Sequence, residues 1–182
     1  MESRSGGEGN QKQTDKESND DNELMYFPLP PELSFNNVKD HAISQRQARD
    51  DHKIEGGNRS GEALGERRRK GSEGEGIEFE LNGRQLAVFY VRNKLYCIDK
   101  KCPHAGGPLH LGDIEDWTGS KGPCIVCPWH KYCFDMSTGS ILHPSSRTER
   151  LDVYPVKVDE ETGVILIGFK SFHESLFSSC NF

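Results

Sequence analysis

An all-β domain preceded by a disordered polar arm is the fold class that the sequence predicts. Three observations predict it. Apolar and polar residues alternate with period two from Ile77 onward, tight-turn dipeptides separate the runs, and no long helical period appears in that part. The boundaries follow: residues 1–75 form the arm and linker, 76–170 the domain and 171–182 a short tail.

The arm is read from composition. The chain has 182 residues, 33% of them hydrophobic, and a net charge of −6. Residues 1–23 are Gly, Ser, Asn, Asp, Glu and Lys with little to bury, so ordering them would cost backbone entropy without compensation. Met25–Pro31 is the one apolar island, either a patch lying on the domain or a polyproline II motif through Pro28 and Pro31. A frayed helix is expected around Val38–Ala48, with a thin apolar stripe. Glycines from Gly56 to Gly76 then punctuate a linker. Within it Arg67-Arg68-Arg69-Lys70 reads as a solvated run, or as a nuclear address.

The domain is read from periodicity. Ile77, Phe79 and Leu81 alternate with Glu78 and Glu80, a half-buried strand, and Asn82-Gly83 is a two-residue hairpin signal. Gln85–Val91 is apolar on both faces and therefore central. Arg92-Asn93 turns the chain into Lys94–Ile98. Later strands are expected at Cys124–Val126, Tyr132–Phe134, Leu151–Val158 and Gly163–Gly168.

Several classes are excluded at this stage. No stretch approaches the ~20 apolar residues that cross a bilayer. The N-terminal residues have neither the apolar core of a secretory signal nor the Arg-rich, acid-poor pattern of a mitochondrial presequence. A cytoplasmic, reducing compartment with no membrane partner is therefore expected. The net negative charge gives no general attraction to nucleic acid. The six cysteines are read as metal ligands, buried hydrophobes or redox thiols before disulfides.

Two loops carry the chemistry. Cys102-Pro103-His104 lies inside KKCPHAGGPLHLGD, and Cys127-Pro128-Trp129-His130 inside CIVCPWHKYCFD. Each offers one thiolate and one imidazole. Two Cys and two His suit one tetrahedral zinc, or a [2Fe–2S] cluster with Cys on one iron and His on the other. Zinc patterns usually keep like ligands together, whereas each loop here mixes them. Cys124, Cys127, His130 and Cys133 also resemble a cramped zinc knuckle, and Cys124 with Cys127 a redox C-x-x-C.

The words CPHAGGPL, CPWH and FD resemble the Rieske iron–sulfur family, and HLGDIED and PCIVCPWHKY resemble its animal members more specifically. The resemblance covers about Ile77–Phe169. It implies a Rieske-type domain of antiparallel sheets with two cluster-binding loops. Cys102 and Cys127 would hold one iron of a single [2Fe–2S] cluster, and His104 and His130 the other. Two thiolates neutralise the oxidised 2+ core, so an electron enters more easily than at an all-thiolate centre. The separation of His104 from Cys127 is longer than usual, and Asp116–Gly122 accounts for the extra length as a polar tip.

High-potential members carry an extra Cys in each loop, paired as a disulfide, and Ser and Tyr hydroxyls near the cluster sulfurs. Those positions here are Gly107, Trp129, Tyr132 and Phe134. A low-potential, ferredoxin-like centre is expected. His143-Pro144-Ser145 matches a third, shielding loop. The implied function is one-electron transfer to a redox partner protein, a reductase or an oxygenase-type acceptor, with no independent catalysis. Asp113, Glu115 and Asp116 are expected to steer a basic partner. The alternative is a non-catalytic binding or sensing module with a structural cluster or zinc. Cys97 and Cys133 are expected to pack as small hydrophobes, Cys180 as an exposed thiol and His110 as a partner-facing residue.

Overall fold

The computed structural model describes residues 24–53 and 75–173. Three antiparallel sheets build the domain. The first has the order β2-β3-β4-β9, with β2 at Ile77–Leu81, β3 at Arg84–Val91, β4 at Lys94–Asp99 and β9 at Val153–Tyr154. Asn82 (φ 51°) and Gly83 (φ 68°) make the expected hairpin, as their left-handed backbone matches the twist of the strands they join. Arg92 (φ 51°) and Asn93 (φ 64°) repeat that turn between β3 and β4. The second sheet runs β5-β6-β7-β8, from β5 (Asp113–Glu115) through β6 (Cys124–Val126) and β7 (Cys133–Asp135) to β8 (Ile141–His143). The third has the order β1-β11-β10, with β1 at Met25–Pro28, β10 at Val156–Val158 and β11 at Ile165–Phe169.

β3 is the central strand, as its two apolar faces require. Ala87, Phe89 and Val91 point to one side and pack with Ile98, Ile114, Ile125 and Phe134. Leu86, Val88 and Tyr90 point to the other and pack with Leu95, Cys97, Ile165, Ile167 and Phe169. Each large side chain removed from water here contributes about 1.5–3 kcal/mol. The first of these cores also contains Cys102 and Cys127, so the two Cys-Pro loops grow out of the packed interior.

Four expectations need correction. The folded unit reaches back into the segment assigned to the disordered arm: β1 pairs with β11, Met25 opposite Phe169 and Pro28 opposite Leu166. The apolar island thus completes a sheet edge, and Pro31 opens a 3-10 turn, so no polyproline II helix forms. A helix, α1 (Phe35–Lys53), follows. Its stripe is thin because Val38 and Ala42, one helical turn apart, are the residues it buries into the second core. The predicted strand at Leu151–Val158 is two short strands that belong to different sheets, divided at Pro155, whose ring cannot donate to a ladder. The acidic residues expected to steer a basic partner are not all free to do so. Asp113–Glu115 is strand β5, Glu115 is buried, and Asp116 pairs with the Arg92 guanidinium. Among the described residues no helix is long and apolar enough to cross a membrane. Residues 1–23, the Arg67–Lys70 run and Cys180 lie outside the described residues.

Candidate metal centre

The two loops share one backbone plan. In the first, the Cys102 N–H donates to the Gly107 carbonyl (2.8 Å) and the Gly106 N–H donates back to the Cys102 carbonyl (2.8 Å). In the second, the Cys127 N–H donates to the Tyr132 carbonyl (2.7 Å) and the Lys131 N–H to the Cys127 carbonyl (3.0 Å). Each is a six-residue turn closed by the same pair of bonds. In each, the fifth residue is left-handed: Gly106 at φ 72° and Lys131 at φ 58°. The first loop returns through Leu109, whose N–H donates to the Lys100 carbonyl (2.8 Å), and Leu109 itself is buried. The second hangs between β6 and β7, whose ladder fixes both of its ends.

This plan gathers the four predicted ligands into two pairs. Cys102 and Cys127 are buried side by side, with their thiols in hydrogen-bond contact. His104 and His130 stand edge to face with ring centroids 4.8 Å apart, His104 partly exposed and His130 exposed. Thiols at the inner end and imidazoles at the outer end are what a two-iron centre with divided ligation needs.

The donors fit such a group on three further counts. Burial pushes the Cys102 thiol up to about 11, against the His104 and Ala105 N–H groups that stabilise its thiolate, and the adjacent Cys127 sulfur raises it further. Two neighbouring buried thiols ionise together only when a cation compensates them. His104 Nδ1 is buried with no hydrogen-bond partner, the state of a nitrogen that takes a metal. Gly107 leaves room beside the sulfur, where a Cβ would lie 2.6 Å from Cys127 Sγ.

Sequence reasoning missed what two residues do here. Tyr132 is stacked on His104, with centroids 4.0 Å apart and planes at 10°, so a side chain of the second loop fixes the imidazole of the first. Lys131 takes the left-handed conformation at the position of Gly106, and its equal offset of four from the loop's cysteine was the available signal. Phe134 lies in the core with both thiols.

Other expectations sort as follows. Trp129, at the position of an extra Cys in high-potential members, is 60% exposed. His110 keeps 14% side-chain exposure and lies with Nε2 3.8 Å from Glu78, so it faces that carboxylate instead of a partner. His143 pairs with Cys133 at an irregular step of the β7–β8 ladder, with its ring 6.0 Å from that of Trp117. The zinc-knuckle set is divided: Cys127 joins Cys102 in the core, whereas Cys124 and Cys133 occupy the opposite face of the sheet. Cys97 packs as a small hydrophobe in the second core.

Comparisons with known proteins show the family to which the chain belongs. A family model described as soluble Rieske-type ferredoxin matches residues 68–155. The human Rieske domain-containing protein is 49% identical over 65 residues, which span 36% of this chain and 40% of that protein. The ferredoxin component of a Ralstonia naphthalene 1,2-dioxygenase/salicylate 5-hydroxylase system is 31% identical over 87 residues, 48% of this chain and 77% of that protein. Among solved structures, the ferredoxin of carbazole 1,9a-dioxygenase from Nocardioides aromaticivorans IC177 is 27% identical, with a TM-score of 0.42 over 50% of this chain and 82% of that one.

Proposed function

Because the chain belongs to the soluble Rieske-type ferredoxin family, which binds a [2Fe–2S] cluster, we propose that it is a low-potential one-electron carrier. Cys102 and Cys127 would hold one iron and His104 and His130 the other. The observation that carries the reading is the sorting of these donors, with buried thiols paired inside and imidazoles paired at the surface. The bound cluster supplies reversible uptake and release of one electron.

The chain's own residues do the rest. The two thiols sit in a core formed by Phe89, Leu109, Ile125 and Phe134, which excludes water from the inner end. Tyr132 holds the His104 ring, and the paired backbone bonds hold both loops before any electron arrives, so little rearrangement accompanies transfer. His130 and Trp129 form the exposed edge that a partner would touch. The Ralstonia relative is the ferredoxin component of a dioxygenase/hydroxylase system. By that likeness the partners proposed for this chain are a reductase as donor and an oxygenase-type acceptor, met in the cytoplasm.

The low potential rests on residue identity. Gly107 and Trp129 cannot make a disulfide between the loops, and Phe134 has no hydroxyl to donate to a sulfur. Potentiometry on the purified protein is expected to place the midpoint in the lower half of the family's range of about −150 to +300 mV. A value above about +150 mV contradicts the reading. Replacing His130 by Cys adds a negative charge and should lower the midpoint by on the order of 100 mV. An unchanged midpoint and spectrum would mean that His130 is not a ligand.

A further inference from the structure

The outer face of the β5–β8 sheet carries two thiols that the metal centre does not use. Cys124 opposes Asp135 and Val126 opposes Cys133, and directly opposed residues of antiparallel strands point to one face. Ile125 and Phe134 take the other face, toward Cys102 and Cys127. Cys124, Val126 and Cys133 therefore form a small cluster of their own, closed over by Trp117 and Leu142.

The cover is the polar tip that lengthens the connection between the two loops. Ser120 Oγ donates to the carbonyl of Trp117 or Gly122, each 2.8 Å away, which makes the tip compact. The Asp135 carboxylate ties it down by accepting the N–H groups of Lys121 (2.7 Å) and Gly122 (3.3 Å). Beneath it the Cys124 thiol lies against the Cys133 thiol and near the Gly122 carbonyl, 3.9 Å away. A hydrogen bond from Cys133 holds the Cys124 thiol below its ordinary value in spite of burial. Cys97 lacks such donors, and burial holds it well above.

We infer that Cys124 and Cys133 are a redox-active dithiol that closes to a disulfide under hydroperoxide, across the two strands that carry the second metal-binding loop. The Cys124 thiolate attacks one peroxide oxygen, the O–O bond breaks, and hydroxide leaves and takes up a proton, giving a sulfenic acid. The Cys133 sulfur then bonds to the Cys124 sulfur and displaces that oxygen as water. Two thiols lose two electrons and two protons, and one peroxide becomes two waters. Oxidant reaches the pair when the Trp117 cover lifts, which breaks the two N–H hydrogen bonds to Asp135 and the ring contact with His143. β6 leads into Cys127 and β7 starts directly after Tyr132, so the bond staples both legs of the loop at its base.

Peptide mass spectrometry on the cluster-loaded full chain tests this, using hydrogen peroxide as the probe and visible absorption to follow the cluster. Tryptic peptides Gly122–Lys131 and Tyr132–Arg147 are expected to become linked, lighter by two hydrogens, with fragmentation placing the bond between Cys124 and Cys133. Cys124→Ser and Cys133→Ser should each abolish the link, and Cys97→Ser should leave it. Azo oxidation by diamide, which needs no sulfenic acid, should give the same link in the parent chain. Free Cys124 and Cys133 after both oxidants, or a bond that uses Cys127, overturns the inference. The readout is a mass and not an electron transfer, so its failure leaves the carrier reading standing.

Discussion

At the scale of single residues, the centre depends on where side chains are missing as much as on where they are present. A methyl group at position 107 would lie 2.6 Å from Cys127 Sγ and 3.4 Å from the Trp129 ring. Gly107→Ala therefore has to push one loop away from the other. The expected cost is about 1–3 kcal/mol of stability, with a fall in iron bound per chain, measured by metal analysis beside thermal unfolding. Full iron content at unchanged stability would show that the loops have room to spare. Lys131 is the opposite case, a side chain where the backbone favours none. Its left-handed conformation (φ 58°) costs on the order of 1 kcal/mol in a non-glycine residue. Lys131→Gly should raise the melting temperature by a few degrees, and a lower melting temperature would mean that the lysine makes a stabilising contact.

At the scale of elements, legibility followed the strength of the local signal. β2, β3 and β4 were plain in the sequence because alternation and left-handed turn pairs specify a hairpin without help from distant residues. β5 was not. Asp113, Ile114 and Glu115 carry one apolar side chain between two acids, and only pairing with β6 makes a strand of them. β1 was missed as a strand, and α1 was expected only as a frayed helix around Val38–Ala48, for a related reason. Leu29 sits in a short apolar island and Val38 and Ala42 stand apart in a polar stretch, and their value comes from the face of β3 and β11 that they cover. Leu29→Ala should cost about 2–5 kcal/mol in chemical unfolding. A change below about 0.5 kcal/mol would mean that β1 lies on the domain without supporting it. The gathering of Cys102 with Cys127 and of His104 with His130 was legible from spacing and family resemblance together. The stacking of Tyr132 on His104 was not, because it joins two loops far apart in sequence.

At the scale of the whole molecule, three small sheets divide the labour. The β2-β3-β4-β9 sheet buries both faces and supplies the rigid wall. The β5–β8 sheet holds the second loop at the ends of its two central strands, and the β1-β11-β10 sheet with α1 closes the far side. The result is an asymmetric centre, with its thiols in the core and His130 beside an exposed Trp129 at the rim. The most direct test of that asymmetry is electron paramagnetic resonance of the reduced, anaerobically purified protein with nitrogen-15-labelled histidine. Nitrogen couplings from two imidazoles are expected, one lost in a His104 variant and the other in a His130 variant. A two-iron signal without histidine coupling, or a colourless protein holding a single zinc, would contradict the account.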